Sequence, residues 1–187
     1  MTTGFTTIGH STRSFDELAG MLRDAGVGLV ADVRSFPRSR HNPAFNIDHF
    51  PDDLARWQIG YRHFPALGGR KPLQPGIDPA INALWRVASF HNYADYALGD
   101  VFGAAFAELI RLGQRQRLAI MCAEAVWWRC HRRIITDYLL AAGHPVLHLL
   151  APGQSEPAQM TKGAQIRPDG TLTYPAAQGR LDFGTAP

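Results

Sequence analysis

Leu118-Ala-Ile-Met-Cys122-Ala-Glu-Ala-Val-Trp-Trp-Arg-Cys130-His-Arg-Arg-Ile-Ile-Thr-Asp-Tyr-Leu-Leu140 is the stretch that decides the fold. Its apolar start, residues 118–121, reads as a buried strand. The pattern from Ile134 to Leu140 predicts a helix over 134–142, closed by Gly143. Between the two lie thiols, a carboxylate, two tryptophans and a basic cluster. In open α/β folds this strand-to-helix edge is where ligands bind. A helix N-terminus there offers free N–H groups and a partial positive charge. Both attract anions and lower the pKa of a nearby thiol. The segment is therefore expected to be a reactive or anion-binding loop.

The same alternation of strand and helix extends in both directions. Phe5–Gly9 is a β-prone run, and Ser14-Phe-Asp-Glu17 has the form of a capping box opening a helix that Gly26 ends. Residues 27–31 are apolar throughout, as in a strand buried on both faces, and they end at Asp32-Val-Arg34. The loop 35–43 is too rich in Pro, Ser and Asn to be regular. A helix is predicted from residue 47 or 48 to 57, and a third strand at 61–64. Leu67-Gly-Gly69 is a turn, and residues 70–90 read as irregular or partly helical. Apolar residues at helical spacing recur at 92–96 and 101–112, and 146–150 forms a fifth strand. Asp169-Gly170 before Thr-Leu-Thr-Tyr174 predicts a hairpin. The expected architecture is α/β: a mostly parallel sheet of about five strands with helices on both faces, over residues 1–150. Residues 151–187 are expected to form a tail whose small hairpin packs on the same domain. The strand separated from the first by a single helix should be its parallel neighbour or near-neighbour.

Composition narrows the function classes. The 187 residues are 45% hydrophobic and 19% charged, enough for one cored domain. The net charge is +3, with a pI of about 9.1. That mild balance does not imply nucleic acid, because the basic residues cluster locally: Arg34, Arg38 and Arg40 in one segment, Arg129, Arg132 and Arg133 in another. Two compact clusters suit a small anionic or nucleotide-like ligand. No apolar run approaches the ~18 residues of a membrane span, and the N-terminus lacks a signal core, so a cytoplasmic protein is expected. Two cysteines exclude a disulfide scaffold. Oligomeric state is not specified by the sequence.

The chemistry-bearing residues fall at the C-terminal ends of the predicted strands. Cys122, His10, Asp32 and Glu124 are the catalytic candidates. Ser11, Arg34, Arg38, Trp127, His131 and Arg132 are the substrate-binding candidates. Each has a plainer alternative. Cys122 is either a nucleophile activated by the basic cluster or a small buried residue. Asp32 and Arg34 either orient substrate, with an arginine clamping an anion, or brace the loops as a structural pair. His10 is a candidate general base, while Ser11 or Ser14 suits a helix cap. One of Trp127 and Trp128 either stacks on a planar ligand or packs on the fold. His131, at the positive end of a helix, is expected to be neutral or paired with Glu124. Phe36, Phe45, Tyr93 and Tyr96 read as packing residues. Cys130 is a resolving thiol, a metal ligand or helix filler. The Cys-x7-Cys-His spacing matches no common structural zinc pattern, and a metal would need further ligands such as His10 or Asp32. No metal site is therefore assigned. Haem ligation by His10, His41 or His63 is not selected by any spacing either, and the cofactor is unknown.

Six segments together resemble a bacterial and archaeal family, domain of unknown function 488. They are Thr7-Ile-Gly-His-Ser11, Ala31-Asp-Val-Arg-Ser-Phe-Pro-Arg-Ser39, Asn42-Pro-Ala-Phe-Asn46, Leu67-Gly-Gly69, Met121-Cys-Ala-Glu124 and Cys130-His-Arg132. The insert between the two cysteines resembles one subgroup of that family. The resemblance implies an enzyme with polar residues at these motif positions and no settled reaction. A strand ending in a Cys loop with an Arg opening a helix is also loosely similar to rhodanese and the cysteine phosphatases. Here the loop is bulky and lacks the glycines with which backbone N–H groups wrap a phosphate. Three functions follow as expectations: an enzyme on an anionic or nucleotide-like substrate, a nucleic-acid binding or base-processing protein, and a non-catalytic ligand- or cofactor-binding module.

Overall fold

A computed structural model describes residues 4–176. Six strands form one sheet: β1 (Gly4–Gly9), β2 (Leu29–Asp32), β3 (Gly60–His63), β4 (Arg117–Cys122), β5 (Val146–Ala151) and β6 (Gln154–Pro157). Their order is β3-β2-β4-β1-β5-β6, with β1 to β5 parallel and β6 antiparallel. Five helices accompany them: α1 (Phe15–Asp24), α2 (Phe50–Arg56), α3 (Ala88–Tyr96), α4 (Asp100–Gly113) and α5 (Arg132–Ala141). The architecture is thus mixed α/β, and β4 separates β1 from β2, which are near-neighbours.

The strand pattern explains the layering. Side chains alternate across a strand, and β4 is apolar and buried at every position from Leu118 to Met121. In β4, Leu118, Ile120 and Cys122 enter a core with Leu109 of α4 and Ile134, Ile135 and Leu139 of α5. Ala119 and Met121 enter the opposite core, with Leu18 and Leu22 of α1 and Phe50 and Leu54 of α2. Helices therefore cover both faces. Ser14 caps α1, its Oγ accepting from Glu17 N at 3.2 Å, so the capping hydroxyl is Ser14 and not Ser11.

The sheet has one strand more than the sequence pattern indicates. β6, Gln-Ser-Glu-Pro, is an exposed polar edge strand that returns antiparallel after a turn at Gly153. A strand with so little apolar surface gives no periodic signal. Helix α2 starts at Phe50, later than predicted, and α5 starts at Arg132, two residues earlier. Within 70–90 a single 3₁₀ turn, Pro79–Asn82, precedes α3. The predicted hairpin is present as β7 (Gln165–Ile166) and β8 (Leu172–Thr173). It is tied to the main core: Tyr138 Oη accepts from Leu172 N at 3.1 Å, and Tyr174 Oη donates to Asp137 Oδ2 at 3.0 Å. The end of the tail lies outside the described residues. No helix among the described residues is long and apolar enough to cross a membrane.

His148, on β5, is buried and bonded through Nδ1 to Thr7 Oγ1 at 2.7 Å. Burial, with the Arg132 charge adding to it and Glu156 opposing it, lowers its pKa from 6.5 to about 4. The unfolded chain therefore binds a proton at this site below pH 6.5 that the folded chain refuses. The stability this neutral histidine contributes is complete above pH 6.5 and lost as pH falls towards 4. Over that window His148→Asn should show a shallower fall of melting temperature with pH than the wild type, measured by thermal denaturation. Parallel slopes would contradict it.

Candidate functional site

The three central strands end together, and their hydrogen-bond ladder continues past them. His10 N and Ser11 N donate to the carbonyls of Cys122 and Ala123, and Val33 N donates to that of Met121, all at 2.9 Å. This places the residues after β1 and β2 on either side of the end of β4. The chain then crosses over the end of β1. A side chain at Gly9 would collide with the Glu124 carbonyl, so only glycine leaves room for the crossing. Trp127 anchors the far side of the loop. Its ring stacks on His148 at 4.2 Å, and its Nε1 donates to Glu156 Oε1 at 2.7 Å. Held there, the chain turns through Trp127–Arg129 and brings Cys130 back towards Cys122.

The result is a cleft of about 1080 Å³ at the C-terminal sheet edge. Cys122, Cys130 and His131 line it beside His10 and Arg34. Arg38, Arg40, Arg70 and Arg129 line it from the loops, and Phe36 and Phe90 supply aromatic surface. Of the candidates named from sequence, the structure brings Cys122, His10, Glu124, Arg34, Arg38 and His131 to this cleft. Asp32, Arg132, Ser11 and Trp127 do not line it. Asp32 is fully buried beneath Arg34, and Arg132 is buried behind the cysteines. Ser11 offers its carbonyl to Asn42 Nδ2 at 2.9 Å, with its backbone at φ 45°. Trp127 is a loop anchor, and Trp128 stands 51% exposed away from the cleft. Phe36, read as packing, is instead 68% exposed on the cleft wall, with the Arg70 guanidinium 5.4 Å from its ring centre.

Arg34 is held on several sides. Its Nε donates to Asp32 Oδ1 at 2.9 Å, and its Nη2 donates to Asp32 Oδ2 and to the Phe45 carbonyl. Tyr61 Oη completes the shell of Asp32 at 2.7 Å. Arg34 Nη1 donates to His10 Nε2 at 3.3 Å, which leaves His10 Nδ1 to donate to the Ser11 carbonyl. One neutral tautomer satisfies both bonds. Burial and then the Arg34 charge lower the His10 pKa to about 4, so the ring is neutral at physiological pH. Phe45 stacks on it at 4.5 Å. The Asn42-Pro-Ala-Phe-Asn46 motif therefore holds the His10–Arg34 wall.

The two thiols differ. The hydrogen bond with Cys130, then burial, push the Cys122 thiol well above the ordinary range. Burial also pushes Cys130 up, but the hydrogen bond from Cys122 and the charge of Arg132 outweigh it and hold Cys130 well below. Arg132 Nε donates to Cys130 Sγ at 3.3 Å, and its Nη2 donates to the Glu124 carbonyl. The surroundings thus favour the charged form at Cys130 over Cys122. The sequence makes Cys122 either a nucleophile or a small buried residue, and the return of the loop that brings Cys130 beside it has no local signal. Arg70, Phe36 and Phe90 line the cleft without having been read from the sequence as site residues. Arg70 could have been found from its place directly after Leu67-Gly-Gly69.

Asp32 offers the sharpest test of the wall. Its removal leaves the buried Arg34 charge without a counter-ion, which typically costs about 3–5 kcal/mol. Asp32→Asn should lose stability of that order in urea denaturation. Tyr61→Phe, which removes one hydrogen bond, should lose about 1 kcal/mol. An Asp32→Asn loss no larger than that of Tyr61→Phe would show that the pair does not brace the wall.

A search of curated proteins and a search of solved structures find no match to the chain. A family model matches residues 14–139, which run from the α1 cap through β2, β4 and both cysteines into α5. The chain belongs to the family described as domain of unknown function DUF488.

Proposed function

We propose that the protein is an enzyme that binds a small anionic, nucleotide-like substrate in this cleft and acts on it at the Cys122–Cys130–His131 floor. The carrying observation is the charge of the wall. Five arginines, 34, 38, 40, 70 and 129, line one concavity, with Glu124 the sole carboxylate among the lining residues. Arg34 is neutralised by Asp32, and Arg38 pairs with Asp48 at 2.8 Å. Arg40, Arg70 and Arg129 have no carboxylate partner among the described residues. Uncompensated guanidinium groups over a concave surface suit phosphate or carboxylate, which they bind bidentately. Phe36 and Phe90 offer flat faces to a ring at the same mouth.

In this reading Arg40, Arg70 and Arg129 capture the anion. Arg34 fixes the inner end, and neutral His10 stands beside the cysteine floor as acid–base candidate. Asp32 and Arg132 are positioning residues, the first acting through Arg34 and the second through Cys130. Within the family we place the chain in the subgroup marked by the insert between its cysteines. The convergence of charge on a concavity favours a small ligand over the nucleic-acid reading, since duplex binding calls for a basic stripe along a surface.

Calorimetric titration with inorganic phosphate, pyrophosphate and adenosine monophosphate tests the proposal. The nucleotide should bind tighter than phosphate. Replacing Arg40 and Arg70 together with alanine should weaken it at least tenfold. No binding of any of the three, or binding indifferent to the arginines, would overturn the reading.

A further inference from the structure

The floor of the cleft carries a second function. We propose that Cys122 Sγ, Cys130 Sγ and His131 Nδ1 form a three-ligand site for a divalent transition-metal ion, zinc foremost, with its fourth position open to the arginine cleft.

Geometry makes the first case. The three ligand atoms all lie within 4.8 Å of one another, and Cys130 Sγ stands 3.6 Å from His131 Nδ1. Tetrahedral zinc, with Zn–S of about 2.3 Å and Zn–N of about 2.0–2.1 Å, sets sulfur and nitrogen ligands about 3.6 Å apart. Cys130 and His131 are therefore spaced as the ion would hold them, and the Cys122 sulfur lies within 4.8 Å of both. Two sulfurs and an imidazole favour zinc and its soft neighbours over magnesium or calcium, which take oxygen.

The protonation of His131 makes the second case. Its Nε2 lies 3.0 Å from the Val33 carbonyl. A carbonyl only accepts, so Nε2 carries the hydrogen, and in the neutral ring Nδ1 is the nitrogen with the lone pair. That lone pair faces the Cys130 sulfur. Two electron-pair donors at this distance need a proton or a cation between them. A second ring nitrogen donating to a backbone carbonyl is also the usual support of a metal-ligating histidine.

Rigidity makes the third. The ring of His131 sits against Gly69, where any side chain would overlap it, and Tyr93 packs on it at 5.1 Å between ring centres. Cys130 is held by Arg132, and Cys122 by the last rung of β4. All three ligand residues nevertheless line the cleft. A site with three protein ligands and one open position is the catalytic form of a zinc centre, while structural sites are closed by four. A bound ion would polarise an oxygen of the substrate, or of water, placed there by the arginines. His131 belongs to the Cys-x7-Cys-His spacing read from the sequence, while His10 and Asp32, named there as possible further ligands, stay with Arg34.

Cobalt(II) titration of the chelator-treated full chain, under reducing conditions and without added anion, tests this. One equivalent should give the intense visible bands of tetrahedral cobalt with sulfur charge-transfer absorption in the near ultraviolet. Cys122→Ser, Cys130→Ser and His131→Gln should each weaken binding at least tenfold. Arg111→Ala, an exposed residue of α4 outside the cleft, should not. The wild-type spectrum decides the matter even where a variant fails to fold. Weak octahedral bands, no stoichiometric binding, or unchanged binding in all three ligand variants would overturn the proposal. Nucleotide titration of the metal-free chain separates this claim from the preceding one. Metal binding without arginine-dependent anion binding overturns that reading alone. The converse overturns this one alone.

Discussion

The site depends on one constraint: the parallel ladder of β1, β4 and β2 does not stop where the strands stop. His10 and Ser11 keep pairing with Cys122 and Ala123, and Val33 with Met121. Backbone hydrogen bonds of this kind leave little freedom to the residues that follow. His10 and Arg34 are delivered to the two flanks of Cys122 before any side chain has chosen a partner. The loop after Cys122 must then climb over β1, which only a glycine at position 9 permits. The close approach of His131 makes the same demand at Gly69. The Gly-His and Leu-Gly-Gly motifs are therefore spatial requirements of one cleft.

Within that frame the arginines divide into two kinds. Arg34 and Arg132 are buried and fully engaged, the first with Asp32 and Phe45, the second with Cys130 and the Glu124 carbonyl. They orient the wall and the sulfurs. Such buried charges are costly to desolvate and are tolerated only when their hydrogen bonds are met. Arg40, Arg70 and Arg129 line the mouth with no carboxylate partner among the described residues. The division explains how a chain of modest net charge concentrates positive potential at one place.

The strand ends were legible because β2 and β4 are apolar at consecutive positions, β1 is a β-prone Phe-Thr-Thr-Ile run, and polar residues follow all three. That pattern suffices to place His10, Asp32, Arg34 and Cys122 at one edge. Layering followed from the same alternation. The polar edge strand β6 was not legible, since Gln154-Ser-Glu-Pro157 has no apolar period. Nor was the path of residues 123–130, which rests on the stacking of Trp127 against His148, 21 positions away in the sequence. Without that anchor the return of Cys130 to Cys122 could not be foreseen, and the sequence left Cys130 open as a resolving thiol, a metal ligand or helix filler. Phe36 and Arg70 likewise depend on two loops meeting, which no local pattern encodes.

The account rests on both sulfurs opening on the arginine cleft as one centre. The most direct measurement is reaction of the chelator-treated chain with phenylarsine oxide, a trivalent arsenical that bridges neighbouring thiols. The account predicts one arsenical per chain, both cysteines blocked together, and slower reaction when adenosine monophosphate occupies the cleft. Cysteines that react singly, or whose labelling is indifferent to the nucleotide, would contradict it.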